Sequence, residues 1–212
     1  MKRPSYHHGD LANALTEAAT KLAREGGPDA VVLRAAARQV GVSATAAYRH
    51  FAGHSDLMHV VKQHATDLLT TSMSTELAKS PEPDPRAEAL RRLRALGLGY
   101  VRFALGEPGL FRTAFCRDAA PTPTSAAPTP DEPADLSLIA PYQMLVESID
   151  ALVAVGLMPP DRRQWAETFA WSTVHGLAML LLDGPLRQCP TAEQEQIIDR
   201  VLAGIALGLT SA

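Results

Sequence analysis

The side chains best suited to chemistry crowd into one stretch, RQVGVSATAAYRHFAGHSDL, residues 38–57. Aromatic residues make up only 5% of the chain, yet Tyr48 and Phe51 stand here beside Arg49 and His50. A tyrosine hydroxyl donates readily to a phosphate oxygen, and arginine and imidazole side chains extend such a polar surface. Nothing in the chain is spaced for bond-making. There is no paired carboxylate with a histidine, no glycine-rich phosphate loop and no nucleophile elbow. We therefore expect no catalytic residues, no enzyme activity and no cofactor; Glu147 and Asp150 read as a solvated acidic face.

The elements that must position this stretch follow from its punctuation. Apolar spacing predicts a short helix over Leu33–Val40, a turn at Gly41-Val42-Ser43 and a second helix over about 44–50, with Ser43 as its N-cap. That is helix-turn-helix spacing, and Gly41 can take the positive φ that the turn needs. The second helix opens on small residues, so it can lie close to something large. In a major groove, its N-terminal residues would meet base edges and backbone. A first helix carries Leu11, Ala14, Leu15, Ala18 and Leu22 and stops at Gly26-Gly27-Pro28. Ala36, Val40 and Val42 would pack these helices together, and Phe51 would anchor the end of the second. The competing reading is a plain helical hairpin whose Tyr48 and Phe51 fill core.

The chain has 212 residues, 46% of them apolar, and is rich in Ala and Leu with few strand formers, so an all-α fold is expected. Its two cysteines, Cys116 and Cys189, are far apart and carry no metal-type spacing. This and the absence of an apolar leader or a long apolar run predict a cytoplasmic protein with no membrane contact. Residues 1–62 carry eight Lys/Arg against five Asp/Glu, whereas the rest of the chain carries twelve against eighteen. A basic head on an acidic body suits nucleic acid at one end only. Further helices are expected from His54–Asp56 to about Ala78, then over 86–105, 136–156, 161–183 and 192–209, with a short apolar helix after GEPGLFRTAF. The stretch 118–135 holds many prolines among small polar residues and reads as a flexible loop.

Residues 15–58 carry a resemblance. The first-helix stripe, the Gly-Pro break, "GVS", and "YRHF" followed by Asp56-Leu57 together resemble the TetR-type transcriptional repressors. "YHHGDLANAL" and "WSTVHGLAMLLLDG" (171–184) are similar to the subgroup with a Trp-His-Gly type of C-terminal domain. The resemblance implies a helix-turn-helix DNA-binding head, residues 1–54. A long helix would join it to a helical effector-binding and dimerisation bundle within 55–212. It further implies that Arg34, Ser43, Ala44, Thr45, Tyr48, Arg49 and His50 touch DNA, with Thr45 and Arg49 reading bases and Tyr48 and His50 holding phosphates. Two positions depart from the family pattern. Val32 stands where a Ser or Thr usually caps the second helix, a cap worth about 1 kcal/mol. His54 stands where a lysine usually meets the DNA backbone, which implies weaker or more pH-sensitive binding.

The same resemblance implies a homodimer on a palindromic operator, released by a small-molecule effector. On the last helix Ile197, Val201, Gly204, Ile205 and Gly208 suit a dimer face, although packing within one chain would use the same residues. Phe103, Phe111, Phe115, Met144, Trp171, His175 and Met179 are candidates for an apolar or aromatic effector, against the commoner reading of each, His175 excepted, as core filler. His175 on an apolar helix needs either a ligand or a satisfied core partner. The alternative function is a helical metal-binding protein using His50, His54, His59 and His64. Against it, the chain has no His-Glu-x-x-His pattern and no cysteine beside these histidines, and Gly53 breaks the helix between the first two.

Overall fold

The computed structural model describes residues 8–116 and 139–211, and among them no strand occurs. The helices are α1 (His8–Gly26), α2 (Leu33–Val40), α3 (Ala44–Ala47), α4 (His54–Leu77), α5 (Pro85–Gly106), α6 (Pro108–Phe115), α7 (Ala140–Ala154), α8 (Ala166–Leu182) and α9 (Thr191–Thr210). Short 3-10 turns precede α2 and α8 and lie between α8 and α9. The proline-rich stretch 118–135, and Tyr6 and His7 of the opening motif, lie outside the described residues. Among the described residues no helix is long and apolar enough to cross a membrane. Two compact units form, one from α1–α3, α4 up to Ala65, and α6, the other from Thr66 onward through α5 and α7–α9.

In the first unit, the head, α1 packs on α2 and α2 on α3. The buried line of α1 is Leu15, Ala19 and Ala23. Of the stripe expected from the sequence, only Leu15 is buried; Leu11, Ala14, Ala18 and Leu22 are half-buried. The difference has a packing reason. α2 presents Ala36 and Ala37, and alanine against alanine lets two helix backbones approach closely. α6 belongs to this unit and seats its N-terminus on the end of α1. A Cβ at Gly109 would fall 2.3 Å from the Ala23 carbonyl oxygen and 2.4 Å from that of Arg24. Only glycine fits there. An Arg24–Glu107 ion pair of 2.7 Å flanks the contact, and Lys62 Nζ donates to the Cys116 carbonyl at the far end of α6, 2.6 Å away.

In the second unit, the body, α5 packs against α7, α8 and α9. Asp84 caps α5, its carboxylate accepting the Ala87 N–H at 2.7 Å, and Pro85 takes the first helical position, where no N–H is needed. Arg91 donates to the carbonyls of Leu77 and Lys79 and so satisfies the end of α4, while the Glu88 carboxylate holds it from the other side at 2.7 Å. The paired guanidinium brings the Glu88 carboxyl down to about 2. Buried Glu76 on α4 is held by Lys79 and by Arg102 of α5. Burial raises its pKa, the two cations lower it, and the cations win. The helix expected over 161–183 is divided, because Trp165 adopts a left-handed conformation (φ 64°) between a 3-10 turn and α8.

Candidate functional site

The turn between α2 and α3 is built as its sequence requires. Gly41 has φ 79° and ψ 26°, and the Val42 N–H reaches back to the Ala37 carbonyl at 3.0 Å, closing a Schellman end on α2. Ser43 is extended and its hydroxyl accepts the Ala46 N–H at 3.2 Å, capping α3. Regular helix ends at Ala47, but Tyr48 N–H to Ala44 and Phe51 N–H to Ala47 continue a helical turn over the stretch expected to 50. Phe51 is 6% exposed and Ala47 is fully buried, so the second helix is anchored from below. The Asp56 carboxylate accepts the Ala52 N–H at 2.9 Å and ties this turn to the start of α4.

On that scaffold Arg34, Thr45, Tyr48, Arg49 and His54 are exposed, and His50 and Ala44 are half-buried. Tyr48 is 46% exposed, so its ring is not core filler. Val32 occupies the N-cap of α2 with no side-chain cap, and its carbonyl alone starts the helix through the Ala35 and Ala36 N–H groups. An exposed row of hydroxyl, guanidinium and imidazole groups on a short, well-anchored helix can donate to phosphates and base edges. Among the described residues no group of three or more His, Cys, Asp or Glu is placed to hold a metal ion, so the histidine-cluster alternative has no geometry behind it.

The ligand candidates fall into two sets. Phe111, fully buried, and Phe115, half-buried, belong to the head unit, with ring centroids 5.0 Å apart. Phe103 (buried), Met144, Trp171 and His175 (half-buried) and Met179 (exposed) belong to the body. Here the structure supplies a residue that spacing did not point to. Tyr100 of α5 sits 2.8 Å from His175 Nδ1, and the Trp171 indole N–H reaches the Tyr100 hydroxyl at 3.3 Å. An indole nitrogen only donates, so the Tyr100 hydroxyl accepts from Trp171 and shares a second hydrogen bond with His175 Nδ1. Burial pushes the His175 pKa down and the Tyr100 pKa up, so both are neutral. The Trp171 ring also meets Tyr142 edge-on at 6.1 Å. Tyr142 is raised by burial and by nearby Glu167, which Arg163 links to Asp150. Asp150, expected as solvated acid, thus carries an ion pair while still exposed.

On α9, Ile197 and Val201 are half-buried, Gly204 and Gly208 are exposed, and Ile205 turns into its own chain with Ile198, Leu202 and Leu209. Phe169 of α8 lies over Gly208, where a Cβ would stand 3.2 Å from its ring, whereas Gly204 faces open space.

Two family profiles match the chain. "Bacterial regulatory proteins, tetR family" covers residues 15–61, and "Tetracyclin repressor-like, C-terminal domain" covers residues 93–205, more than half of the chain. No curated protein matches it. Among solved structures, a protein of unknown function from Rhodococcus sp. RHA1 is 24% identical with a TM-score of 0.73, over 99% of this chain and 100% of that one. A TetR variant from Acinetobacter baumannii AYE in complex with minocycline is 21% identical with a TM-score of 0.60, over 98% and 100%. The TetR family regulator PfmR from Thermus thermophilus is 20% identical with a TM-score of 0.56, over 92% and 96%. These structures share the fold, and the profile match decides the family. The chain belongs to the TetR family of DNA-binding transcriptional regulators, with a helix-turn-helix head.

Proposed function

We propose that the protein is a homodimeric repressor that leaves a palindromic operator when a small apolar or aromatic molecule binds its body. The observation that carries the DNA-binding part is the capped, buried-anchored α3, from which Thr45, Tyr48 and Arg49 stand exposed. Thr45 and Arg49 read bases; Arg34, Ser43, Ala44, Tyr48, His50 and His54 position the head on the backbone. Two heads set about one helical turn apart read a palindrome. Support for the dimer is the apolar surface left on the last two helices, where Phe169 is 46% exposed and Leu207 66% exposed. Among structures of similar fold, the Acinetobacter TetR variant holds minocycline. In this chain the Tyr100–His175–Trp171 relay offers one polar handle beside aromatic faces, which suits an aromatic ligand with a single hydrogen-bonding group. Ligand binding works through α4, which runs from head to body, and acts only by its unequal affinity for the bound and released states.

The test is a footprint of the protein on DNA upstream of its own coding region, repeated over a range of salt. A protected palindrome whose affinity falls steeply with salt is expected. No specific protection in a genome-wide binding selection removes the proposal. Within that assay, His54→Lys is expected to bind tighter, because an ammonium at this position adds a full positive charge toward a phosphate. Unchanged binding would show that residue 54 makes no backbone contact.

A further inference from the structure

The bases that a recognition helix can tell apart are limited by the groups it carries. An amide of Asn or Gln pairs with adenine, a carboxylate accepts from cytosine, Arg or Lys donates to guanine, and a small apolar group meets the thymine methyl. Residues 40–51 contain no Asn, Gln, Asp or Glu. The nearest amide before them, Gln39, belongs to α2, which in this arrangement crosses the backbone instead of entering the groove. Ser43 is committed to its cap, accepting the Ala46 N–H at 3.2 Å, and Ala47 is buried. What α3 itself turns outward is Thr45, with half-buried Ala44 and Ala46 as its neighbours in sequence.

The Thr45 side chain is also unspent. Thr16, Thr70, Thr71 and Thr75, in longer helices, each commit the hydroxyl to the carbonyl one turn back, at 2.8–3.0 Å. Four residues before Thr45 stands Gly41, whose left-handed backbone belongs to the turn, and the Thr45 hydroxyl bonds to no described residue. Its methyl and its hydroxyl are therefore both open to DNA. The Ser43 cap and the buried Ala47 and Phe51 hold α3 in place. That matters for reading a methyl, because dispersion attraction fades within about 1 Å of extra separation.

From this inventory we infer that Thr45 reads a thymine in each operator half-site, its methyl packed on the thymine C5 methyl and its hydroxyl donating to O4. The inference rests on the major-groove reading above and deepens it by naming a base and the group recognised on it. It also makes the operator responsive to cytosine methylation. 5-Methylcytosine presents the same methyl in the same groove, and a hydroxyl that both donates and accepts serves its amino group as well as O4. Unmodified cytosine offers no methyl to pack on.

The operator found by footprinting supplies the test. Each thymine of one half-site is replaced in turn by deoxyuridine, which removes only the methyl, and affinity is read by fluorescence anisotropy at fixed salt. Replacement of the thymine read by Thr45 is expected to weaken binding about fourfold, the worth of one methyl taken out of water. Thr45→Ser keeps the hydroxyl and should no longer distinguish thymine from uracil at that position. Thr45→Val keeps the methyl and should distinguish them as the wild type does. Cytosine there should weaken wild-type binding, and 5-methylcytosine should recover about fourfold of the loss. Circular dichroism and affinity for unrelated DNA are expected to stay unchanged in both variants, because residue 45 is exposed. A protected operator in which no thymine responds, or a Thr45→Ser protein that responds as the wild type does, overturns the inference and leaves DNA recognition standing. No specific site in a genome-wide binding selection overturns both.

Discussion

The head and the body spend their polar side chains in opposite ways. In the head, Thr45, Tyr48 and Arg49 stand exposed, and the polar contacts that shape the stretch around them are turn chemistry: the Ser43 cap and the Asp56 contact to Ala52. In the body, polar groups are matched across distant sequence, the Tyr100–His175 pair inside the bundle and the Arg94–Asp199 pair at its surface. Tyr100 meets His175 75 residues away, and Arg94 meets Asp199 105 residues away. A surface that must meet a partner keeps its donors outside, whereas a bundle that must hold its own helices spends them within. The head's fold therefore hangs on small, tight backbone contacts, and its function on exposed side chains that contribute little to stability.

The largest expected effect tests the first half of that statement. Gly109→Ala places a methyl against two main-chain carbonyls of α1 that have no flexible end to give way. We expect a loss of about 3 kcal/mol, at the upper end of overpacking costs. Hydrogen exchange should show α1 and α6 amides losing protection first. Full protection in α1 would mean that α6 is not seated as described.

Arg49→Ala tests the second half. Removing a base-reading arginine is expected to cost about 1–3 kcal/mol of specific DNA affinity, tenfold or more, while thermal stability stays within about 0.5 kcal/mol. Competition binding on operator and unrelated DNA measures the first, and a thermal melt the second. A large drop in melting temperature would make Arg49 a structural residue and blur the contrast between the units.

How much of this is legible in the sequence follows the same division. α2 is readable to the residue, because Gly41, Ser43 and the Gly26-Gly27-Pro28 stop are local signals whose meaning does not depend on the rest of the chain. The centre of the α1 stripe is one position off, because periodicity counts leucines while packing here selects Ala19 and Ala23. Nothing local marks Glu107–Phe115 as belonging with α1; that depends on what a glycine touches in space. His175 is recognisable as a residue in need of a partner. Tyr100 is not recognisable as that partner, since helical spacing says only that it faces inward. On α9, spacing alone does not separate Ile205, which faces the chain's own core, from Gly204, which faces open space.

The relay gives a smaller effect with a pH signature. Tyr100→Phe leaves the His175 Nδ1 and the Trp171 N–H without their shared hydroxyl, at an expected cost of about 1–2 kcal/mol. The pH dependence follows from burial. The folded-state pKa of His175 lies below its ordinary 6.5, so the unfolded chain takes up its proton first as pH falls. Its contribution is fully present above pH 6.5 and is lost as pH drops through the folded-state value. Glu76 and Glu88, also lowered, add a separate loss that begins only toward their ordinary 4.5. Unfolding midpoints measured from pH 8 to 2 should show both steps in the wild type and only the lower one in His175→Gln. A single step common to both proteins would remove the buried neutral imidazole from the account.

The smallest effect returns to the head and has the opposite sign. Thr20 lies on the buried side of α1, 4% exposed, and its hydroxyl has no hydrogen-bond partner among the described residues. Its neighbour Thr16 shows the alternative, donating to the Ala12 carbonyl one turn back at 3.0 Å. A buried hydroxyl without a partner has lost water and gained nothing, while its branched shape still fills the seam. Thr20→Val keeps that shape and removes the polar atom, so the head should gain about 0.5–1 kcal/mol. Both residues are β-branched and rank alike as helix formers, so propensity leaves the sign unchanged. The reading is a denaturant melt at unchanged slope, together with unchanged DNA affinity. A destabilised Thr20→Val protein would show that the hydroxyl finds a partner in solution, and that the head, like the body, hides a polar contact inside α1.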